Sequence, residues 1–126
     1  MLGDYPIEAM IPATDMTRAR AFYADTLGLK VVREDPEGVE FESGGVRFAV
    51  YPTRMTAGSE ATVAGWNVED LDAEMKDLRA RGITFEEYDV GDIKTVDGVL
   101  ELEGERAAWF RDPDGNVLAV AQLATR

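Results

Sequence analysis

The sequence contains no cysteine and no histidine among its 126 residues. The first absence excludes disulfides, thiolate metal centres and cysteine nucleophiles. The second excludes a Ser-His-Asp triad, a histidine base and any histidine-ligated metal. A metal would need oxygen ligands alone, which suit hard ions such as Mg²⁺ or Ca²⁺ better than Zn²⁺. Basic residues are scarce too: 13 Lys and Arg stand against 25 Asp and Glu, a formal charge of -12. Such a chain repels phosphate backbones and anionic lipid, so neither nucleic acid nor a membrane is an expected partner. A cationic small molecule would be attracted, although an acidic surface also serves solubility alone. No apolar run approaches the ~18 residues of a spanning helix. Residues 1–15 lack a basic region and carry Asp4 and Glu8, unlike a signal peptide. The expectation is a cytoplasmic protein.

What is present reads as one pattern written twice. Residues 5–12 are a short, mostly apolar strand candidate. Asp15 suits a helix N-cap, Ala19, Phe22, Tyr23 and Leu27 recur at helical spacing, and Gly28 supplies the stop. Strand candidates follow at 29–34, 38–42 and 46–51, parted by Asp35-Pro36-Glu37 and Ser43-Gly44-Gly45. The second half repeats the order. A strand at 61–68 leads to a helix opened by Glu69-Asp70, with Leu71, Met75 and Leu78 on one face and Gly82 at its end. Strands are expected at 83–87, 107–111 and 117–123, the last two joined by Asp112-Pro113-Asp114-Gly115-Asn116. The expected fold class is α+β: two βαβββ modules in tandem, at 5–52 and 61–124 within one domain spanning 1–126.

One stretch breaks the symmetry. Residues 88–105 carry Asp89, Asp92, Asp97, Glu101, Glu103 and Glu105 against the single Lys94. Loops this long are often functional. This one reads as a solvated acidic loop, as an extra hairpin at 96–102 turning at Asp97-Gly98, or as a lid over a ligand.

The phrases Ala21-Phe22-Tyr23-Ala24-Asp25-Thr26-Leu27-Gly28-Leu29 and Phe110-Arg111-Asp112-Pro113-Asp114-Gly115-Asn116 resemble two hallmarks of the vicinal oxygen chelate superfamily. This is the glyoxalase, bleomycin-resistance and extradiol-dioxygenase group, and the duplication extends the resemblance over nearly the whole chain. The resemblance implies two modules forming curved mixed sheets around a shared cleft, commonly completed by a homodimer. It also implies three or four metal ligands on the first and last strands of the modules. Carried over one position at a time, those sites are Glu8, Val63, Ala49 and Ala119. Three of the four are aliphatic, and one carboxylate leaves a divalent ion held mostly by water. A change of register brings in only other oxygen groups, such as Glu60 or Asn67. No metal and no other cofactor is expected.

Strand alternation then places side chains on the cleft faces. Glu8 and Met10 share one; Val63, Gly65 and Asn67 another; Arg47, Ala49 and Tyr51 a third; Val117, Ala119 and Ala121 the last. The candidate ligand-binding residues are Glu8, Met10, Arg47, Tyr51, Asn67 and Trp109, a mixture suited to a small organic molecule. Each has a structural alternative. Glu8 can pair with Arg47, Met10 and Tyr51 can be core, and Asn67 can satisfy backbone groups at a strand end. Trp66 and Trp109 can serve packing or a dimer contact.

The expected function is metal-independent binding of a small molecule, with sequestration of a cationic or aromatic compound. The alternative is a metal-independent lyase or isomerase, with a buried Glu8 as general base and Arg47 or Tyr51 stabilising an enolate. An oxygen-ligated metal lyase is disfavoured by the ligand positions. An interaction module, its cleft filled by Met10, Val63 and Tyr51, is the remaining reading.

Overall fold

Asp15 and Asp70 start the two main helices in the same way. Each carboxylate accepts the amide three residues on, from Arg18 and from Ala73, both at 3.1 Å. That satisfies an N–H which the first helical turn leaves open. The repeat read from the sequence is therefore a repeat of local structure in this computed structural model, which describes residues 1–123. The chain forms two compact units, Met1–Ala57 and a second that begins at Gly58. Among the described residues no helix is long and apolar enough to cross a membrane.

The first unit contains β1 (Ala9–Ala13), α1 (Met16–Arg20), β2 (Lys30–Asp35), β3 (Gly38–Ser43) and β4 (Val46–Pro52). Its sheet order is β1-β4-β3-β2, with β1 parallel to β4 and the other pairs antiparallel. Ile11, Ala13, Val39, Phe41 and Val50 are buried together with Ala19 and Tyr23 from the helical segment. Tyr23, Phe41 and Phe48 form an aromatic cluster with ring centroids 5.7 to 6.0 Å apart. The helix expected as one piece is two: at Ala21, α1 gives way to a π-helical turn, Ala21–Thr26. The Leu27 amide donates to the carbonyl of Phe22, five residues back, at 2.9 Å. Gly28, at φ 76°, then turns the chain into β2.

The second unit contains β5 (Thr62–Asn67), α2 (Leu71–Ala80), β6 (Asp89–Val90), β7 (Ile93–Lys94), β8 (Leu100–Leu102), β9 (Glu105–Arg111) and β10 (Val117–Leu123). Its larger sheet runs β5-β10-β9-β8, the order of the first sheet. Leu71, Met75, Phe85, Ala108, Phe110, Leu118 and Val120 are buried. Phe110 stacks on Trp66 at 6.3 Å and meets Phe85 edge-on at 5.8 Å. Trp66 is thus a packing residue. Gln122 Oε1 accepts the Leu71 amide at 2.7 Å, which ties the start of α2 to the last strand.

The strand expected at 83–87 is absent. Ile83 and Phe85 are buried, as their alternation requires, but the segment joins no ladder. It is held by a bond from the Glu86 amide to the Trp109 carbonyl at 2.8 Å. The edge of the sheet is taken by β8, which comes from the acidic insertion. The turn at Asp97-Gly98 exists, closed by a bridge between Val96 and Val99. A separate short hairpin, β6–β7, precedes it.

The turn between β9 and β10 is a closed hydrogen-bonded knot. Asp112 Oδ1 accepts the amides of Asp114 and Asn116, both at 2.9 Å, and Oδ2 accepts Asn116 Nδ2 at 2.9 Å. The sequence phrase that carried the resemblance is structural, as its residue types suit a turn.

Candidate functional site

In the first unit, the ladder sets Met10 beside Ala49 and Pro12 beside Tyr51. Arg47 stands opposite Glu42, Ala49 opposite Glu40, and Glu40 opposite Arg33. Paired residues share a face, so Met10, Arg47, Ala49 and Tyr51 lie together on the face away from the buried core. Arg33, Glu40 and Glu42 join them, which the sequence reading did not single out. Arg47 reaches Glu40 at 3.5 Å and Glu42 at 3.7 Å, and Arg33 reaches Glu40 at 4.0 Å. This face is a ladder of alternating charges beside Met10 and Tyr51. Glu8 precedes β1 and is exposed, and it makes no ion pair with Arg47. The base role considered for Glu8 relied on burial, which that position does not provide.

In the second unit, Trp109 stands beside Ala119, and Ala119 beside Gly65. Between Val117 and Leu118 the partner strand skips a residue, so Val63 is the unpaired member of a bulge. Thr62, not Val63, stands beside Val117. Asn67 pairs with Ala121 at the exposed end of β5, away from the turn that Trp109 approaches. The sequence-predicted residues therefore fall into two sets: Glu8, Met10, Arg47 and Tyr51 in the first unit, Asn67 and Trp109 in the second.

Around Trp109 the sheet face is hollow. A groove of about 440 Å³, open to solvent, is walled by Trp109, Tyr88, Ile93, Leu100, Leu102 and Val117, with Glu60 and Glu105 as the charged members among the described residues. That volume suits one small molecule. Tyr88 meets the Trp109 ring edge-on at 5.8 Å. Tyr88 and Ile93 belong to the insertion, which thus contributes a wall. Its β6–β7 hairpin is held at the base by Thr95. The Thr95 hydroxyl accepts the Tyr88 amide at 2.8 Å and donates to Glu87 Oε1 at 2.7 Å, while the Gly98 amide donates to the same oxygen at 2.7 Å. These bonds, the Thr95 hydroxyl first and the Gly98 amide second, hold the Glu87 carboxyl below its usual pKa.

Arg111 organises the rim. Its guanidinium donates to Glu86, to Glu60 Oε2 at 3.1 Å, and to the carbonyls of Ser59 and Gly115 at 3.1 and 2.9 Å. Burial, then the Glu86 carboxylate, push the Tyr88 phenol upward, against the pull of Arg111. Sequence reasoning passed over Tyr88, Ile93 and Arg111. The only available signal was the length of the insertion and the aromatic and aliphatic residues within it.

The family's metal does not fit these residues. Glu8, Ala49, Val63 and Ala119 supply one carboxylate between them. Among the described residues no cluster of three acidic side chains is placed to hold an ion.

Comparison with known proteins agrees with this architecture. A family model described as the Glyoxalase/Bleomycin resistance protein/Dioxygenase superfamily matches residues 7–120. No curated protein matches the chain in sequence. Among solved structures, the lactoylglutathione lyase from Agrobacterium tumefaciens is 22% identical with a TM-score of 0.68, over 94% of this chain and 92% of that one. TnmS3, an antibiotic binding protein from Streptomyces sp. CB03234, is 21% identical with a TM-score of 0.70, over 94% and 97%. A glyoxalase family protein from Enterococcus faecalis is 19% identical with a TM-score of 0.70, over 96% and 99%. At these identities the structures speak for the fold, and the family model speaks for descent. With its duplicated βαβββ units and a family match over nearly its whole length, the chain belongs to the Glyoxalase/Bleomycin resistance protein/Dioxygenase superfamily.

Proposed function

We propose that this protein binds a small molecule without a metal and holds a cationic or aromatic compound rather than transforming it. The observation that carries the reading is the aliphatic set Ala49, Val63 and Ala119 at the positions where the family pattern calls for ligands. Met10 beside Ala49 and Gly65 beside Ala119 add no oxygen or nitrogen donor, and Glu40, opposite Ala49, is engaged by Arg33 and Arg47. The cavity beside Trp109 supports the binding part of the reading, because its walls are apolar and aromatic. The charge of -12 favours a cation through long-range steering. A family neighbour described as antibiotic binding is a precedent for holding over turnover. A homodimer in the cytoplasm belongs to the same proposal.

The test is a thermal-shift panel of acridine, phenanthridinium and aminoglycoside compounds, run with and without EDTA. A compound at about 100 times its Kd adds about 2.7 kcal/mol and raises Tm by several degrees. The reading requires such a shift, indifferent to EDTA, with the compound recovered intact by mass spectrometry. A shift that needs Ni²⁺, Zn²⁺ or Mn²⁺, or recovery of a converted product, contradicts it.

A further inference from the structure

We propose that Asp97 is a site of spontaneous covalent modification, the conversion of aspartate to isoaspartate through a cyclic imide, and that Arg79 and Glu87 hold it closed in the folded chain. The first observation is that this turn calls for a chemically weak pair. Asp97 and Gly98 adopt φ 52° and 81°, and Asp97 is the one non-glycine residue at positive φ among the described residues. A tight turn with two such residues favours Asp-Gly. Position 98 also has little room: a Cβ there would lie 3.0 Å from Phe85 Cβ and 3.3 Å from both Arg79 Nη2 and Met75 Cε. A glycine nitrogen, with no side chain beside it, readily reaches the carboxyl carbon of a preceding aspartate. Asp97 is exposed, and no donor among the described residues engages its carboxylate. In the step itself the Gly98 nitrogen attacks Cγ of the protonated Asp97 carboxyl. A C–N bond forms, and the nitrogen's proton and the carboxyl's hydroxyl leave together as water. Water then opens the imide at either carbonyl, returning aspartate or giving isoaspartate.

The second observation is that the peptide joining the two residues is pinned at both ends. Its carbonyl, on Asp97, accepts Arg79 Nη2 at 2.8 Å, and its N–H, on Gly98, donates to Glu87 Oε1 at 2.7 Å. Ring closure requires rotation about the Cα–C bond of Asp97, which swings that peptide and breaks both bonds. Each involves a charged group, so each is stronger than a neutral hydrogen bond. The pins are themselves held. The Arg79 guanidinium lies over the Phe85 ring at 5.2 Å, and Glu87 Oε1 also accepts the Thr95 hydroxyl at 2.7 Å. The chain's other Asp-Gly pair, Asp114-Gly115, is fixed by different means. Asp112 accepts the Asp114 amide with Oδ1 at 2.9 Å and the Gly115 amide with its carbonyl at 3.0 Å. That pair is an internal control, independent of Arg79 and Glu87. The consequence of modification is local. Isoaspartate adds one atom to the backbone of the turn, so Val96 and Val99, which exchange bonds of 2.9 and 3.0 Å across it, lose their register. The strand at the sheet's edge, β8, begins at the next residue, Leu100, and loses its anchored start.

The experiment ages the full chain, folded in buffer and unfolded in guanidinium chloride, and follows isoaspartate by tryptic mapping with mass spectrometry and by isoaspartyl methyltransferase labelling. Asp97 is the sole aspartate of the tryptic peptide 95–106, so its product is read without overlap. The inference expects isoaspartate at Asp97 in the unfolded chain, and formation at least about tenfold slower in the folded one. Arg79→Met and Glu87→Ala should each raise the folded rate at Asp97 about tenfold and leave that at Asp114 unchanged. Glu87→Gln keeps an oxygen acceptor without its charge and should fall between. Arg79 is exposed, so Arg79→Met keeps the test open should Glu87→Ala fail to fold. No isoaspartate at Asp97 in the unfolded chain overturns the site. A folded rate equal to the unfolded one, or no acceleration in the variants, overturns the role of Arg79 and Glu87. Acceleration at Asp97 and Asp114 together also overturns that role, since it reports general loosening of the fold.

Discussion

Tyr88 meets the indole of Trp109 edge to face, with ring centroids 5.8 Å apart and planes at 80°. This contact joins the start of the acidic insertion to β9. Removing the ring should therefore wet Trp109. Tyr88→Ala is expected to shift tryptophan emission to the red and to lower stability by about 1–2 kcal/mol. Tyr88→Phe keeps the edge contact and should leave both nearly unchanged. Emission spectra and urea unfolding check the pair.

Asn116 is almost fully buried, at 2% exposure, and each of its side-chain atoms is used. Oδ1 accepts the Gly58 amide at 3.1 Å, and Nδ2 donates to Asp112. Asn116→Ala removes one bond to the buried Asp112 carboxylate and one to the Gly58 amide, at an expected cost of about 2–3 kcal/mol. Gly58 is equally constrained. It adopts φ 92°, and an added Cβ would lie 2.4 Å from the Asp114 carbonyl oxygen. Gly58→Ala should cost about 1–3 kcal/mol through backbone strain. Both values are read as lowered urea midpoints with an unchanged slope.

The hairpin's clasp should respond to acid. Hydrogen bonds from Thr95 and Gly98 hold Glu87 below the ordinary glutamate value of 4.5. A depressed carboxyl pKa adds stability that is complete above the unfolded value and is lost as pH falls through the folded one. Stability should thus drop below about pH 4.5, and the drop should be smaller in Thr95→Val, which lacks the largest of the two bonds. Urea midpoints measured from pH 6 to pH 3 give the comparison. Parallel curves for the two proteins would contradict the clasp.

The two helix caps make a matched pair. Asp15→Ala and Asp70→Ala each remove one side-chain bond to a first-turn amide. Each should cost about 1 kcal/mol, and the Asn variants should recover most of it. Thermal unfolding of the four proteins measures this.

The duplication was legible because it is written in punctuation. Asp15 and Asp70 cap, Gly28 and Gly82 stop, and the Asp112–Asn116 turn uses its residues as turn chemistry requires. Alternation correctly put Met10, Arg47 and Tyr51 on one face, since β1 and β4 pair without a slip. It failed locally at Val63, where a bulge moves Thr62 into line with Val117. It also failed at 83–87. The inward residues Ile83 and Phe85 look like a strand, yet the ladder position belongs to β8. A pattern of burial reports which side chains face inward, not which strand supplies the hydrogen bonds. The π-helical turn left no trace in residue spacing. Tyr88 and Ile93 were beyond reach for another reason: a hairpin of two-residue strands has too little periodicity to show where it folds back.

The most direct test is a titration of the panel compound that raises Tm most into protein purified without a histidine tag and stripped of metal, with metal content verified by elemental mass spectrometry. The account predicts saturable, stoichiometric binding in the stripped protein, unchanged when Mg²⁺, Mn²⁺, Ni²⁺ or Zn²⁺ is added. Binding that appears only on restoring one of these ions, with about one tightly held ion per chain, would contradict it.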